Sequence, residues 1–181
     1  MKRLTAAFLA VLMLATAFTF SACTKETMGG HTPGMAVFDS KAVEYKFEYP
    51  ATWQTQMNEG MVCLYVSSND PSNVSIATFG LGEQFTDLEN YITSEEAGFM
   101  TQWNAVFGET DFGTPTDVKM GGMDAKKYVY EVTVSDITYK YMQVFALGNG
   151  NVYTLTYAAR TELFDEHLPK AEHIISTFQF K

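Results

Sequence analysis

Between residues 126 and 158 the chain carries a pattern that few architectures satisfy. Lys126 to Val134 alternates, with Tyr128, Tyr130, Val132 and Val134 in phase. Ser135-Asp136 follows, then Ile137 to Leu147, then Gly148-Asn149-Gly150-Asn151, then Val152 to Ala158. A period of two belongs to a strand with two distinct faces. Short breaks rich in Gly, Asn, Asp and Ser tolerate positive φ and close hairpins. The segment therefore predicts three strands in an antiparallel meander.

The same reading extends upstream. Val43 to Tyr49 alternates apolar and charged residues, and Pro50, which cannot donate to a ladder, ends the run. Trp53 follows as a cover over the core edge. Residues 61–67 and 74–79 read as a hairpin joined by Ser68-Asn69-Asp70-Pro71-Ser72-Asn73, six turn formers in a row. Val118 to Met120 is a short strand before a Gly121-Gly122 turn, and Phe178-Gln179-Phe180 suggests a closing strand.

Two segments have helical period. Thr86-Asp87-Leu88-Glu89 fits a capping box, in which the Thr hydroxyl and the Glu carboxylate satisfy free amide donors. Leu88, Tyr91, Ile92, Phe99 and Trp103 follow at helical spacing, predicting a helix over 87–104 weakened at Gly98. Phe164, Leu168, Ala171, Ile174 and Ile175 form the stripe of a second helix over 162–177. Pro169 allows a later start near Glu166 or His167, where a missing amide costs little. About seven strands and two main helices, which must bury their stripes on a sheet, predict an α+β sandwich.

The first residues set the address. Met1-Lys2-Arg3 is positive, Leu4 to Phe20 is apolar but for Thr5, Thr16 and Thr19, and Phe20-Ser21-Ala22-Cys23 ends in small residues. These are the marks of a secretory signal. The run is shorter than the roughly 20 apolar residues of a membrane span, so an uncleaved anchor helix is the weaker reading. Ser21-Ala22-Cys23 resembles the lipobox of bacterial lipoproteins, where the Cys thiol takes diacylglycerol and the chain is cut before it. Phe20 departs from the Leu that the lipobox prefers. The alternative is an ordinary signal cut nearby, leaving a soluble protein. The expected organisation is a signal over 1–22, a lipidated Cys23 with a flexible tether over 23–35, and one domain over 36–181. The tether, poor in apolar residues, holds His31 as a solvated residue.

Without the signal, 159 residues remain, enough for one core, with ten basic and twenty-one acidic side chains. That balance disfavours nucleic acid and anionic lipid surfaces. Cys63 then stands alone in Met61-Val62-Cys63-Leu64-Tyr65-Val66. A reactive thiol is one reading; a small core residue in a buried strand is the better one.

Metal binding needs convergent ligands, and nucleophilic catalysis needs a Ser, Cys or Thr with a base nearby. His167 and His173 stand six apart and do not share a helix face. Asp165, Glu166 and His167 are adjacent and diverge. Glu162 with Glu166, and Glu166 with Lys170, share a face that reads as solvated. Glu95 and Glu96 diverge and make a poor glycosidase pair. No Gly-x-Ser-x-Gly occurs, and Gly80-Leu81-Gly82 and Gly121-Gly122 lack the strand, helix and Lys of a phosphate loop. No catalytic, cofactor-binding or metal residue is assigned. Tyr128, Tyr130, Tyr139, Tyr141, Tyr153 and Tyr157 lie on neighbouring strands. They read as cross-strand packing in preference to an exposed aromatic platform.

Several of these segments together resemble a known family. Tyr45-x-Phe47-x-Tyr49-Pro50-x-x-Trp53, the Gly121, Gly122 and Ala125 segment, Val152 to Tyr157, Phe164, Ala171-x-x-Ile174-Ile175-Ser176 and Phe178 resemble PsbP-like domains, including bacterial lipoproteins related to DcrB. The resemblance covers about residues 36–181. It implies an antiparallel sheet between helices and, for bacterial members, envelope lipoproteins without enzymatic activity; no ligand residue carries over. The expectation is a non-enzymatic, lipid-anchored binding or accessory module on the extracytoplasmic face of the membrane, with an envelope protein as partner and no cofactor. An envelope hydrolase and a small-molecule or metal carrier are the alternatives.

Overall fold

The computed structural model describes residues 32–58, 60–81 and 87–181. Cys23, His31, Gly82 and Thr86 lie outside them, as do the side chains of Glu95, Glu96 and Phe99. Ten strands run β1 (Met35–Asp39), β2 (Tyr45–Pro50), β3 (Gln54–Asn58), β4 (Met61–Tyr65), β5 (Asn73–Gly80), β6 (Thr116–Met120), β7 (Met123–Val134), β8 (Ile137–Gly148), β9 (Asn151–Arg160) and β10 (Gln179–Phe180). Helix α1 (Leu88–Phe107) lies between β5 and β6, and α2 (Thr161–Thr177) between β9 and β10.

Seven strands form one antiparallel sheet in the order β3-β4-β5-β9-β8-β7-β6. The meander closes as its sequence requires. Gly121-Gly122, Ser135-Asp136 and Asn149-Gly150 each make a two-residue turn with both residues at positive φ. Such turns match the twist of the strands they join. Gly121 has a second reason to be Gly: a Cβ there would meet the Phe178 ring at 2.8 Å.

A second sheet, β1-β2-β10, was not foreseen. It pairs the first described strand and the last with the same partner, β2. Its aromatic residues seal one side of the large sheet with α2. Tyr45 stacks on Phe178 at 4.9 Å and meets Tyr153 edge-on at 6.1 Å. Strand β3 was also missed, because Gln54-Thr55-Gln56-Met57-Asn58 has no apolar alternation and is held by pairing with β4 and by Met57 against the core.

The helices differ from expectation at their ends. The N-cap of α1 is Asp87, not Thr86: its Oδ1 accepts the Asn90 N–H at 2.8 Å. Either oxygen-bearing side chain serves as a cap, so adjacent Thr and Asp leave the sequence signal degenerate by one residue. The helix runs three residues past the expected end, to Phe107, with Trp103 and Phe107 in contact at 4.8 Å. Helix α2 does not start late. It begins at Thr161 and carries Pro169 in its interior. Pro169 and Asp165, whose carbonyl loses its partner, are both exposed, so water can satisfy that carbonyl.

Candidate functional site

His167 falls in the buried stripe of α2, between Phe164 and Ala171, and not on the solvated face expected for it. It is 3% exposed. Three segments far apart in sequence meet there. From the turn after β2, the Trp53 indole meets the imidazole edge-on at 6.0 Å. From the β4–β5 connection comes Asp70. From α2 itself comes Lys170.

The connection is built to aim Asp70. The Ser67 hydroxyl accepts the amides of Asn69 and Asp70 at 3.3 and 3.2 Å. Asp70 Oδ1 accepts the Ser72 amide at 2.9 Å, a local Asx turn. That leaves Oδ2 free to face His167 Nε2 at 2.7 Å. On the other side of the ring, Lys170 Nζ stands 3.0 Å from Nδ1. An ammonium group only donates, so Nδ1 accepts and Nε2–H donates to Asp70. Burial alone would raise the Asp70 carboxyl, but the hydrogen bonds from Ser72 and His167 outweigh it and hold the group below its ordinary range.

Both imidazole nitrogens are therefore spent on neighbours of the same chain. The ring has no lone pair for a metal and no free position from which to take a substrate proton. The chemistry available to this arrangement is a clamp: it ties the β4–β5 connection and the Trp53 turn to the head of α2. Nearby, Tyr157 OH donates to the Phe164 carbonyl at 2.8 Å, fixing the first turn of the same helix.

His173, the other candidate, is not part of this group. Its Nε2 meets Glu48 Oε2 at 2.9 Å. The Thr32 hydroxyl is the main cause holding the Glu48 carboxyl below its ordinary range; His173 adds to it, and burial opposes both. Glu48 thus links β2, α2 and the point where the chain enters the domain. Among the described residues no three His, Cys, Asp or Glu side chains converge to hold a metal ion.

The remaining candidates lie on the opposite side of the large sheet or in the core. Cys63 is a buried free thiol pushed up by desolvation. Of the six tyrosines, Tyr128, Tyr130, Tyr141, Tyr153 and Tyr157 are buried and Tyr139 is half-buried. The packing interpretation holds. Tyr130 and Tyr141 stack at 5.4 Å, and Trp103 of α1 stands edge-on to both. Burial pushes the Tyr141 phenol up to about 12. Beneath them, Tyr130 OH donates to Gln143 Oε1 at 3.1 Å, and Gln143 Nε2 donates to Thr156 at 3.2 Å.

Sequence reasoning missed Asp70 and the burial of His167. The sequence did hold one signal: His167 is in phase with Phe164, Ala171 and Ile174 on a helical wheel. It carried no signal for the partner, 97 residues away.

Set beside known proteins, the sequence matches the profile of PsbP over residues 33–180. The chain belongs to the PsbP family. Among solved structures it is similar to CyanoP, the cyanobacterial PsbP of Synechocystis, at 15% identity and a TM-score of 0.66, covering 86% of this chain and 98% of that one. A crystal structure from Bacteroides thetaiotaomicron is similar at 15% identity and a TM-score of 0.58, covering 80% of this chain and 48% of the other. No curated protein matches. At these identities the likeness shows the fold: the expected α+β, PsbP-like architecture is correct. No described helix is long and apolar enough to cross a membrane.

Proposed function

We propose that this PsbP-family chain is a lipid-anchored accessory module of the bacterial cell envelope, held outside the membrane through Cys23, and that it acts by binding an envelope protein and not by catalysis. The observation that carries this reading is Ser21-Ala22-Cys23 behind a charged start and an apolar run. A diacylglycerol Cys supplies at least two acyl chains, which is what stable anchoring takes at about 0.8 kcal/mol per buried methylene. Eleven residues, 24–34, separate Cys23 from β1. Such a spacer reaches at most about 40 Å fully extended. The domain then works within that distance of the bilayer surface. The state of His167 lends no support to catalysis at that residue, because both ring nitrogens are bonded within the chain.

Cross-linking in intact cells tests it. The native chain and Cys23→Ser are compared by fractionation, pull-down and mass spectrometry. The expected result is a native chain in the membrane fraction and one envelope protein recovered repeatedly, with both lost in Cys23→Ser. An unchanged fractionation removes the anchor from the reading, and recovery of no partner above background removes the accessory role.

A further inference from the structure

We propose that the outer edge of β7, from Tyr128 to Val134, is a strand-addition site that takes an extended segment of a partner protein with a basic residue near its centre. The existence of a partner rests on the accessory-module reading; the site and its chemistry rest on the following geometry.

Strand β7 has twelve residues, but its outer neighbour β6 has five and covers only Met123 to Lys127. The direction of the backbone beyond that point follows from the two hairpins. Met120 and Met123 flank a two-residue turn, so they exchange both hydrogen bonds, and Met123 points its amide and carbonyl toward β6. Val134 and Ile137 flank the next two-residue turn, so Val134 points its groups toward β8. Alternation carries both assignments along the strand: odd-numbered residues face outward and even-numbered ones face β8. The Lys127 carbonyl agrees, accepting from the Thr116 hydroxyl at 3.4 Å. Past Lys127, the outward residues are Val129, Glu131 and Thr133. Among the described residues no backbone hydrogen bond is made there on the outer side.

This edge lacks the usual protection. Proteins blunt open edges with short strands, charges, prolines or bulges. The opposite edge, β3, is five residues long and mostly polar. On β7, Val129 is 42% exposed, the largest exposure of any large apolar residue described. Glu131 is the single charge. Its cross-strand neighbour Lys140 turns away to lie over the Phe164 ring at 4.9 Å, and among the described residues Glu131 forms no ion pair. The edge thus offers three outward amides, three carbonyls, two exposed apolar side chains, Val129 and Val134, and one carboxylate without a described ion-pair partner.

Charge chooses the occupant. A second copy would pair β7 with β7 across a two-fold axis. The longest register, from 129 to 133, sets Glu131 opposite its own copy, and a shift of two residues leaves the carboxylates diagonal or runs into Thr116. Like charges placed opposite on a sheet repel. A different chain, with Lys or Arg in that place and a β-branched or aromatic residue beside Val129, pairs without that cost.

The test pans a phage-displayed library of random heptapeptides against the full chain solubilised in detergent. The expected peptides alternate β-branched or aromatic residues with polar ones around a Lys or Arg. Glu131→Lys should reverse the central preference to Asp or Glu. Val129→Pro should abolish capture, since it removes an outward amide while the ladder to β8 stays intact. Should Val129→Pro not fold, Glu131→Lys still decides. A synthetic copy of a selected peptide should slow amide exchange at Val129, Glu131 and Thr133 about tenfold. No enrichment over bare support, the same motif selected by Glu131→Lys, or capture undiminished in a folded Val129→Pro would overturn the site. A dimer in sedimentation that Val129→Pro breaks would overturn it in favour of a second copy. Capture is read without the anchor's help. An envelope protein recovered in cells alongside failed panning therefore sinks only this site, and successful panning alongside failed recovery sinks only the cellular role.

Discussion

On the α2 side of the seven-stranded sheet, Leu64, Val74, Ile76, Met142, Val144 and Leu155 have no exposed surface at all, and every one is apolar. On the α1 side, Ser75, Gln143, Thr154 and Thr156 are nearly as deep, and every one is polar. The two faces come from the same strands, one residue out of phase. The α2 face is closed by a helix and a second sheet, where Tyr45 and Phe47 of β2 stack with Phe178 at the end of α2. The α1 face carries a hydrogen-bonded relay under a helix, with tyrosines along one flank. Apolar closure holds the fold together by area removed from water. A buried relay adds little net stability when complete and costs heavily when broken.

The comparison is most exposed at its aromatic anchors. Phe178→Ala should cost about 3–5 kcal/mol in urea unfolding, as expected for a fully buried ring. Trp103→Ala should cost a comparable amount, because it removes a larger ring from a residue that is only 7% exposed. Unequal losses would mean that the two faces do not share the stability evenly. Next comes Gly121→Ala, at about 2–3 kcal/mol from left-handed backbone strain and collision with Phe178. Gly122→Ala, at φ +82 with open space around it, should lose about 1 kcal/mol by thermal unfolding. On the α1 face, Gln143→Leu should lose about 1–3 kcal/mol, because it strands both Tyr130 OH and Thr156 in the interior.

Acid sharpens the contrast further, because the depressed carboxyls with substantial burial, Asp70 and Glu48, serve the α2 side, while Asp39 and Asp124, also depressed, are exposed surface pairs. A carboxyl depressed in the folded state stabilises fully above its unfolded value and loses that contribution as pH falls through the folded one. The ordinary values are 3.8 for Asp70 and 4.5 for Glu48, so the loss belongs to the range below about pH 5. Asp70→Asn should lower stability at neutral pH by about 1–2 kcal/mol. It should also flatten the acid limb in circular-dichroism melts taken from pH 6 down to pH 2. An unchanged acid limb would detach the clamp from stability. The smallest effect is a gain. Asp136 sits at φ +66 in the β7–β8 turn, so Asp136→Gly should raise stability by about 0.5–1 kcal/mol by differential scanning calorimetry.

How much of this could be read beforehand depended on range. Turns and alternation are local, so the β7–β8–β9 meander, its three turns and the tyrosine faces were legible residue by residue. The stripe of α2 was legible too, but His167 within it was read by its polarity and not by its phase. A buried imidazole is stable where its ring nitrogens find hydrogen-bond partners, and nothing near His167 in sequence announces Asp70. Strand β3 failed for the same reason. Its residues have no strand pattern of their own, and β4 imposes one. The small sheet was half-legible: β2 alternates clearly, but that its two flanking strands come from opposite ends of the domain is a fact of topology, not of pattern.

That topology has a mechanical consequence. Strands β1 and β10 run the same way on either side of β2, with Met35 beside Pro50 at one end and Phe180 beside Tyr45 at the other. A pull on the chain ahead of Met35, opposed by a pull beyond Phe180, acts along the strand axes in opposite senses. The ladder hydrogen bonds are then loaded in shear, all together, and not peeled one after another. A domain tethered by its leading end and gripped near its trailing end would resist tension through three short strands that contribute little to the area of the main sheet.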